Sequence, residues 1–169
     1  MKKVIFSTST LSLVTFAIFL LSSFNSSAQR ASFSGDWKLN ELKSELGEFG
    51  GWTIRTIKAA QKEDAITIES TRPGFNGGDP VTTTLTLPYD GKVVETEGFG
   101  GSKRKSTAKW SEDGKTLTIN STTVFERDGQ SFELKSTEIW TVVEGDLLSI
   151  ATNSSSPRGD VSTKAVYTK

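Results

Sequence analysis

Two residue types that carry much of protein chemistry are missing from this chain of 169 residues: it has no cysteine and no histidine. Without cysteine there is no disulfide, no thiolate nucleophile and no thiol for lipid attachment at a processed N-terminus. Without histidine there is no Ser-His-Asp or Cys-His arrangement, no imidazole base and no His/Cys zinc site. An excess of charge of one sign is missing too. Twenty basic residues balance twenty acidic ones, so the formal net charge is zero. That balance leaves no electrostatic footprint for a nucleic-acid groove or an anionic membrane surface. Asp79 and Asp160 stand in expected loops, but neither sits in the repeated-Asp spacing of a calcium loop. Neither a metal nor a cofactor is expected.

What is present begins with an export pattern. Lys2 and Lys3 form a basic start, no charge follows from Val4 to Phe24, and the apolar centre runs from Leu11 to Leu21. Ser26 and Ala28 supply the small residues needed before a cut at Gln29. Segment 1–28 is therefore expected to be a cleaved signal peptide, and 29–169 a single domain in the periplasm or outside the cell. A retained membrane anchor is the alternative, but Ser7, Thr8, Ser9 and Thr10 dilute the first part of the run below the length of a span. Removing Lys2 and Lys3 leaves eighteen bases against twenty acids, a net charge of −2.

The domain reads with a period of two. Strands are expected at 33–39, 52–59, 65–71, 81–87, 92–97, 103–110, 115–125, 131–143, 147–152 and 160–168. Asp90-Gly91, Asp113-Gly114, Asp128-Gly129 and Glu144-Gly145-Asp146 punctuate them as tight turns. One short helix is possible over 40–47, and loops are expected at 73–80 and 153–159. The fold class is all-β, an antiparallel up-and-down barrel of 8–10 strands, which removes the exposed edges of an open sheet. Gly98-Phe99-Gly100-Gly101-Ser102-Lys103 lacks phosphate-loop spacing and lies between strands, so it reads as a glycine hairpin. Lys103-Arg104-Lys105 reads as a solvated edge.

Two strands carry more information. Leu117, Ile119, Ser121, Thr123 and Phe125 share one face, and Phe132, Leu134, Ser136, Glu138, Trp140 and Val142 share another. Each face is apolar at its ends and polar in the middle. A solid core has little use for Glu138, because an unpaired buried carboxylate costs several kcal/mol. Ser121, Thr123, Ser136 and Glu138 are thus expected to line a cavity, with Phe132 and Trp140 as apolar walls. In the alternative, both faces point outward into water.

Phe33-Ser34-Gly35-Asp36-Trp37-Lys38-Leu39, followed by Lys43-Ser44 and a glycine, resembles the opening strand of the calycin barrels, and specifically of bacterial secreted lipocalin-like proteins. Gly159-Asp160-Val161 through Ala165-Val166-Tyr167-Thr168-Lys169 is similar to the closing strand of the fatty-acid-binding branch. The resemblance lies at the two ends; the middle matches in strand rhythm alone. It implies that Gly35 and Trp37 close the barrel bottom with a last-strand cation over the indole ring, for which Lys164 is the candidate. It also implies a small hydrophobic molecule or lipid as partner, with Tyr167 facing it, in a monomer that is not an enzyme. Ala165 stands where the fatty-acid-binding branch places an arginine, so a carboxylate clamp does not carry over. The alternative is a structural or interaction barrel filled by its own side chains.

Overall fold

Alternation decides which face of each strand is buried. In Thr56–Gln61, Ile57 and Ala59 are buried between exposed Thr56, Lys58 and Ala60, so one face of the sheet must find apolar neighbours. The computed structural model describes residues 29–98, 101–127, 129–144 and 146–169. The signal segment 1–28 lies outside them, as do Phe99 and Gly100 of the glycine hairpin, Asp128 and Gly145.

Ten strands form one antiparallel sheet: β1 Gly35–Leu39, β2 Thr56–Gln61, β3 Ala65–Arg72, β4 Val81–Pro88, β5 Val94–Glu97, β6 Lys103–Trp110, β7 Thr116–Arg127, β8 Gln130–Val143, β9 Leu147–Ser156 and β10 Gly159–Thr168. Their order is β4-β3-β2-β1-β10-β9-β8-β7-β6-β5. The sheet curls into a nearly closed barrel. Pairing of β1 with β10 joins the first and last strands, and β4 and β5 border a seam. The inward residues form one cluster that includes Trp37, Ile57, Ile66, Leu87, Leu117, Ile119, Trp140, Leu148 and Tyr167.

Three expectations are corrected by local chemistry. The stretch 40–47 forms a 3₁₀ turn at Glu41–Lys43, capped by the Asn40 side chain, rather than an α-helix. A second 3₁₀ turn covers Gly47–Trp52, so β2 starts at Thr56 and not at Trp52. There the Thr53 hydroxyl donates to the Phe49 carbonyl at 3.1 Å and stabilises the tight turn. The expected loop at 153–159 is instead the tip of the β9–β10 hairpin. Ser162 donates to the Asn153 side chain at 2.7 Å, extending the cross-strand pairing through polar residues.

The segment before β1 seals one end. Phe33 is fully buried, stacks on Trp110 at 5.3 Å and meets Trp140 edge-on at 5.9 Å. Its N–H donates to Gln61 Oε1 at 3.0 Å, Gln61 Nε2 donates to the Ala31 carbonyl at 3.1 Å, and the Ala31 N–H donates to Gly114 of the β6–β7 turn at 2.8 Å. Arg30 lies over Tyr89 and Trp110, at 5.1 and 5.5 Å from their ring centres. Because Tyr89 follows β4 and Trp110 ends β6, Arg30 staples the seam at this closed end.

Truncating Phe33 to alanine should therefore cost about 3–5 kcal/mol, the usual range for a buried aromatic. Urea denaturation of the Phe33→Ala variant should show a large fall in midpoint; a loss of stability under about 0.5 kcal/mol, the size of an ordinary surface change, would mean that the segment is not part of the core.

Candidate functional site

The closed end explains the Gly-x-Trp pattern. Trp37 is buried and its indole N–H donates to the Phe33 carbonyl at 2.8 Å. The cation over its ring is Lys169, with Nζ 4.9 Å from the ring centre. The Lys164 expectation is corrected: Lys164 is exposed, and its backbone instead pairs with Glu45 through hydrogen bonds of 2.7 and 2.9 Å. Gly35 makes the stacking possible. A Cβ there would stand 3.2 Å from Lys169 Cε, and its φ of +141° is one that L side chains rarely adopt.

Above this end, register arranges the inner face in rows. Leu117 pairs with Trp110 and Trp140; Ile119 with Ala108 and Glu138; Ser121 with Ser106 and Ser136; Thr123 with Arg104 and Leu134; Phe125 with Phe132. The face is the inner one, because Leu117, Ile119 and Trp140 are buried core residues. Ser121 is buried, while Thr123, Ser136 and Glu138 are half-buried. Trp140 Nε1 donates to Glu138 Oε2 at 3.0 Å. Phe132 sits apart from this group, partly exposed at the opposite end of its strand and stacked on Phe125 at 5.1 Å.

Arg104 supplies what the sequence reading missed. It is not part of a solvated edge: it shares the inner face with Ser106 and Ala108, whereas Lys103 and Lys105 alternate to the other side. Its side chain runs down the barrel. Arg104 Nη2 donates to Ser121 Oγ at 2.9 Å and lies 3.5 Å from Glu138 Oε1, and Ser121 also bonds Ser106 at 2.9 Å. Its Nε is buried without a hydrogen-bond partner among the described residues. The period of two in Lys103-Arg104-Lys105-Ser106-Thr107-Ala108 was the available signal.

Tyr167 is buried on the same inner side as Ala165 and donates its hydroxyl to the Ile54 carbonyl at 3.1 Å. Burial, reinforced by the charge of Glu138, pushes its phenol well above the ordinary tyrosine range. Burial also pushes Tyr89 up to about 12, against the pull of the Arg30 guanidinium.

The far end of the barrel is an apolar mouth. One cavity of about 440 Å³ is lined by Phe125, Phe132, Leu134, Ser156, Pro157 and Arg158. Another, of about 340 Å³, is lined by Trp52, Arg72, Pro73, Phe75, Val81 and again Phe125. Trp52 and Phe75 contact each other at 5.5 Å and are each more than half exposed. Among the described residues no group of three or more His, Cys, Asp or Glu comes together to hold a metal ion. No helix among them is long and apolar enough to cross a membrane.

No protein-family model matches the chain, and no curated protein does. Among solved structures it is similar to the zebrafish ileal bile-acid-binding protein complexed with cholic acid. The likeness covers 82% of this chain and 99% of that one, with a TM-score of 0.51 and 18% identity. The likeness is one of fold: both chains form a curled antiparallel sheet of this barrel type.

Two measurements check this geometry. Lys169→Ala should lower stability by about 0.5–1 kcal/mol, the worth of an exposed cation–π contact, while Lys164→Ala should leave the urea midpoint almost unchanged; equal effects would contradict the assignment. Spectrophotometric titration should show neither of the two tyrosines ionising near pH 10, with Tyr89 ionising only at about pH 12. Because the folded value lies above the unfolded one, this contribution is fully present below pH 10 and is lost as pH rises through about 12. A phenolate signal near pH 10 from the folded protein would contradict it.

Proposed function

We propose that this protein is an exported lipocalin-like barrel that takes a small hydrophobic or amphipathic molecule in at its open end. The observation that carries this reading is the mouth. Exposed aromatic side chains there do nothing for core stability, and contiguous exposed apolar surface marks an interaction site. The 440 Å³ cavity falls within the range of about 300–1,000 Å³ usual for small-molecule sites. The neighbouring barrel's complex with cholic acid supports the same class of ligand. The missing histidine and cysteine favour a carrier over a catalyst. Segment 1–28 belongs to the reading as a cleaved signal, delivering the domain to the periplasm or the exterior as a monomer.

A second reading, a structural or interaction barrel without a ligand, is favoured by one observation: Phe33, Trp37, Trp140 and Tyr167 belong to one buried apolar cluster inside the barrel. One experiment decides between them. Protein purified from its own host is examined by native mass spectrometry, then stripped and titrated with N-phenylnaphthylamine. The carrier reading expects an adduct or saturable probe binding that Phe125→Ser weakens by about tenfold, a loss of roughly 1.4 kcal/mol. Clean apo protein that ignores the probe would favour the structural reading. The same spectra report export: the polypeptide should begin at Gln29, and a mass retaining 1–28 would contradict cleavage.

A further inference from the structure

The polar centre of the barrel presents an unusual balance of groups for a carrier of charged amphiphiles. Arg104 brings a positive charge inside, but Glu138 stands 3.5 Å from its Nη2 and cancels that charge locally. The Arg104 side chain is still 34% exposed, so part of its guanidinium remains accessible, while Nε is enclosed without a partner among the described residues. Glu138 Oε2 accepts from Trp140 Nε1 and Oε1 faces Arg104, and a carboxylate has about four acceptor sites, so accepting capacity remains. Ser121 and Ser106 complete the patch. These groups lie on rows below the apolar cavity that Phe125, Phe132 and Leu134 line.

We propose that the Arg104–Glu138 pair is a head-group site that selects an uncharged hydroxyl- or amide-bearing amphiphile and disfavours a free carboxylate. A hydroxyl can both accept and donate: it accepts from the accessible part of the Arg104 guanidinium and donates to Glu138. A carboxylate accepts from Arg104 but has nothing to donate, and it brings a second negative charge beside Glu138. Like charges sharing one site destabilise one another, so Glu138 acts as the repulsive element that specificity requires. Ala165 adds to the effect, since β10 contributes no second cation on its inner face at that position. The apolar body of the ligand extends toward the mouth past Leu134 and the Phe125–Phe132 stack.

This inference rests on the carrier reading above, and its test separates the two. Dodecanol and dodecanoate, equal in chain length, compete with N-phenylnaphthylamine on the wild type and on Glu138→Gln at neutral pH. The wild type should bind the alcohol about tenfold or more tightly than the acid, the discrimination expected when a mismatched ligand leaves a site's polar groups badly paired. In Glu138→Gln the ratio should fall by about tenfold, chiefly because dodecanoate tightens once the repulsive charge is gone. The variant is needed because the alcohol is intrinsically more apolar, and that bias is the same for both proteins. A wild type that prefers dodecanoate, or a ratio unchanged in Glu138→Gln, overturns the head-group assignment while leaving the carrier reading standing. Failure of the probe itself to bind overturns both.

Discussion

Two antiparallel meanders, β1–β4 and β5–β10, become one barrel through a single short junction. Strand β1 pairs with β10 only through Lys38–Thr168 and Leu39–Tyr167, while β4 and β5 meet at a seam at the other side. If the junction opened, each meander would expose a strand edge. The chain after β1 reinforces it. Asn40 N–H donates to the Val166 carbonyl at 2.8 Å, Val166 N–H donates to Ser44 Oγ at 2.9 Å, and Ser44 Oγ donates to the Asn40 carbonyl at 2.7 Å. Glu45 and Lys164 then continue the pairing as an isolated bridge. The 3₁₀ turn at Glu41–Lys43 is thus a bulge in a longer β1–β10 contact. Ser44 within the opening motif has a structural task, and the Lys169–Trp37 stack clamps the same junction from the closed end.

That clamp frees the other end. The largest fully buried side chains are the aromatics Trp37, Trp140, Tyr167 and Phe33. Burial of apolar area at roughly 25 cal/mol per Å² is the main favourable term in folding, and the core keeps it away from the mouth. Arg104, Glu138 and the exposed mouth aromatics need not contribute to stability. A partly buried ion pair is weak evidence for stability in any case, since desolvation offsets its attraction. Its position between a solid base and an open cavity fits a role in recognition better than one in folding.

Strand rhythm was legible because period-two alternation and Asp-Gly turns are both local signals, and each of the ten expected strands has its counterpart in the structure. The β9–β10 hairpin tip was harder. Asn153, Ser154 and Ser155 have turn-like composition, and cross-strand pairing with 160–162 on one side and 135–137 on the other makes them strand. Gly50 and Gly51 hid the 3₁₀ turn before β2 for the opposite reason, since Trp52 and Ile54 look like strand residues. At the site, the shared face of Ser121, Thr123 and Glu138 followed from parity alone. Arg104 obeyed the same parity but was masked by two flanking lysines. Lys169 was missed as a terminal residue, although Gly35 had left room for it. The mouth could not be read at all, because Trp52, Phe75 and Phe125 come from three separate stretches that only the closed fold brings together.

Likeness of fold does not fix likeness of ligand chemistry. A long inward side chain reaches beyond its neighbouring strand, as Arg104 on β6 reaches Glu138 on β8. The cation need not come from β10, where Ala165 stands. What recognition depends on is the net charge of the centre and the directions of its unused donors and acceptors, not the strand that supplies them. Setting Glu138 beside Arg104 turns a centre that would attract an anion into one that is nearly neutral but rich in hydrogen bonds. A shared topology at 18% identity thus leaves the head-group preference of such a barrel to the side chains at its centre.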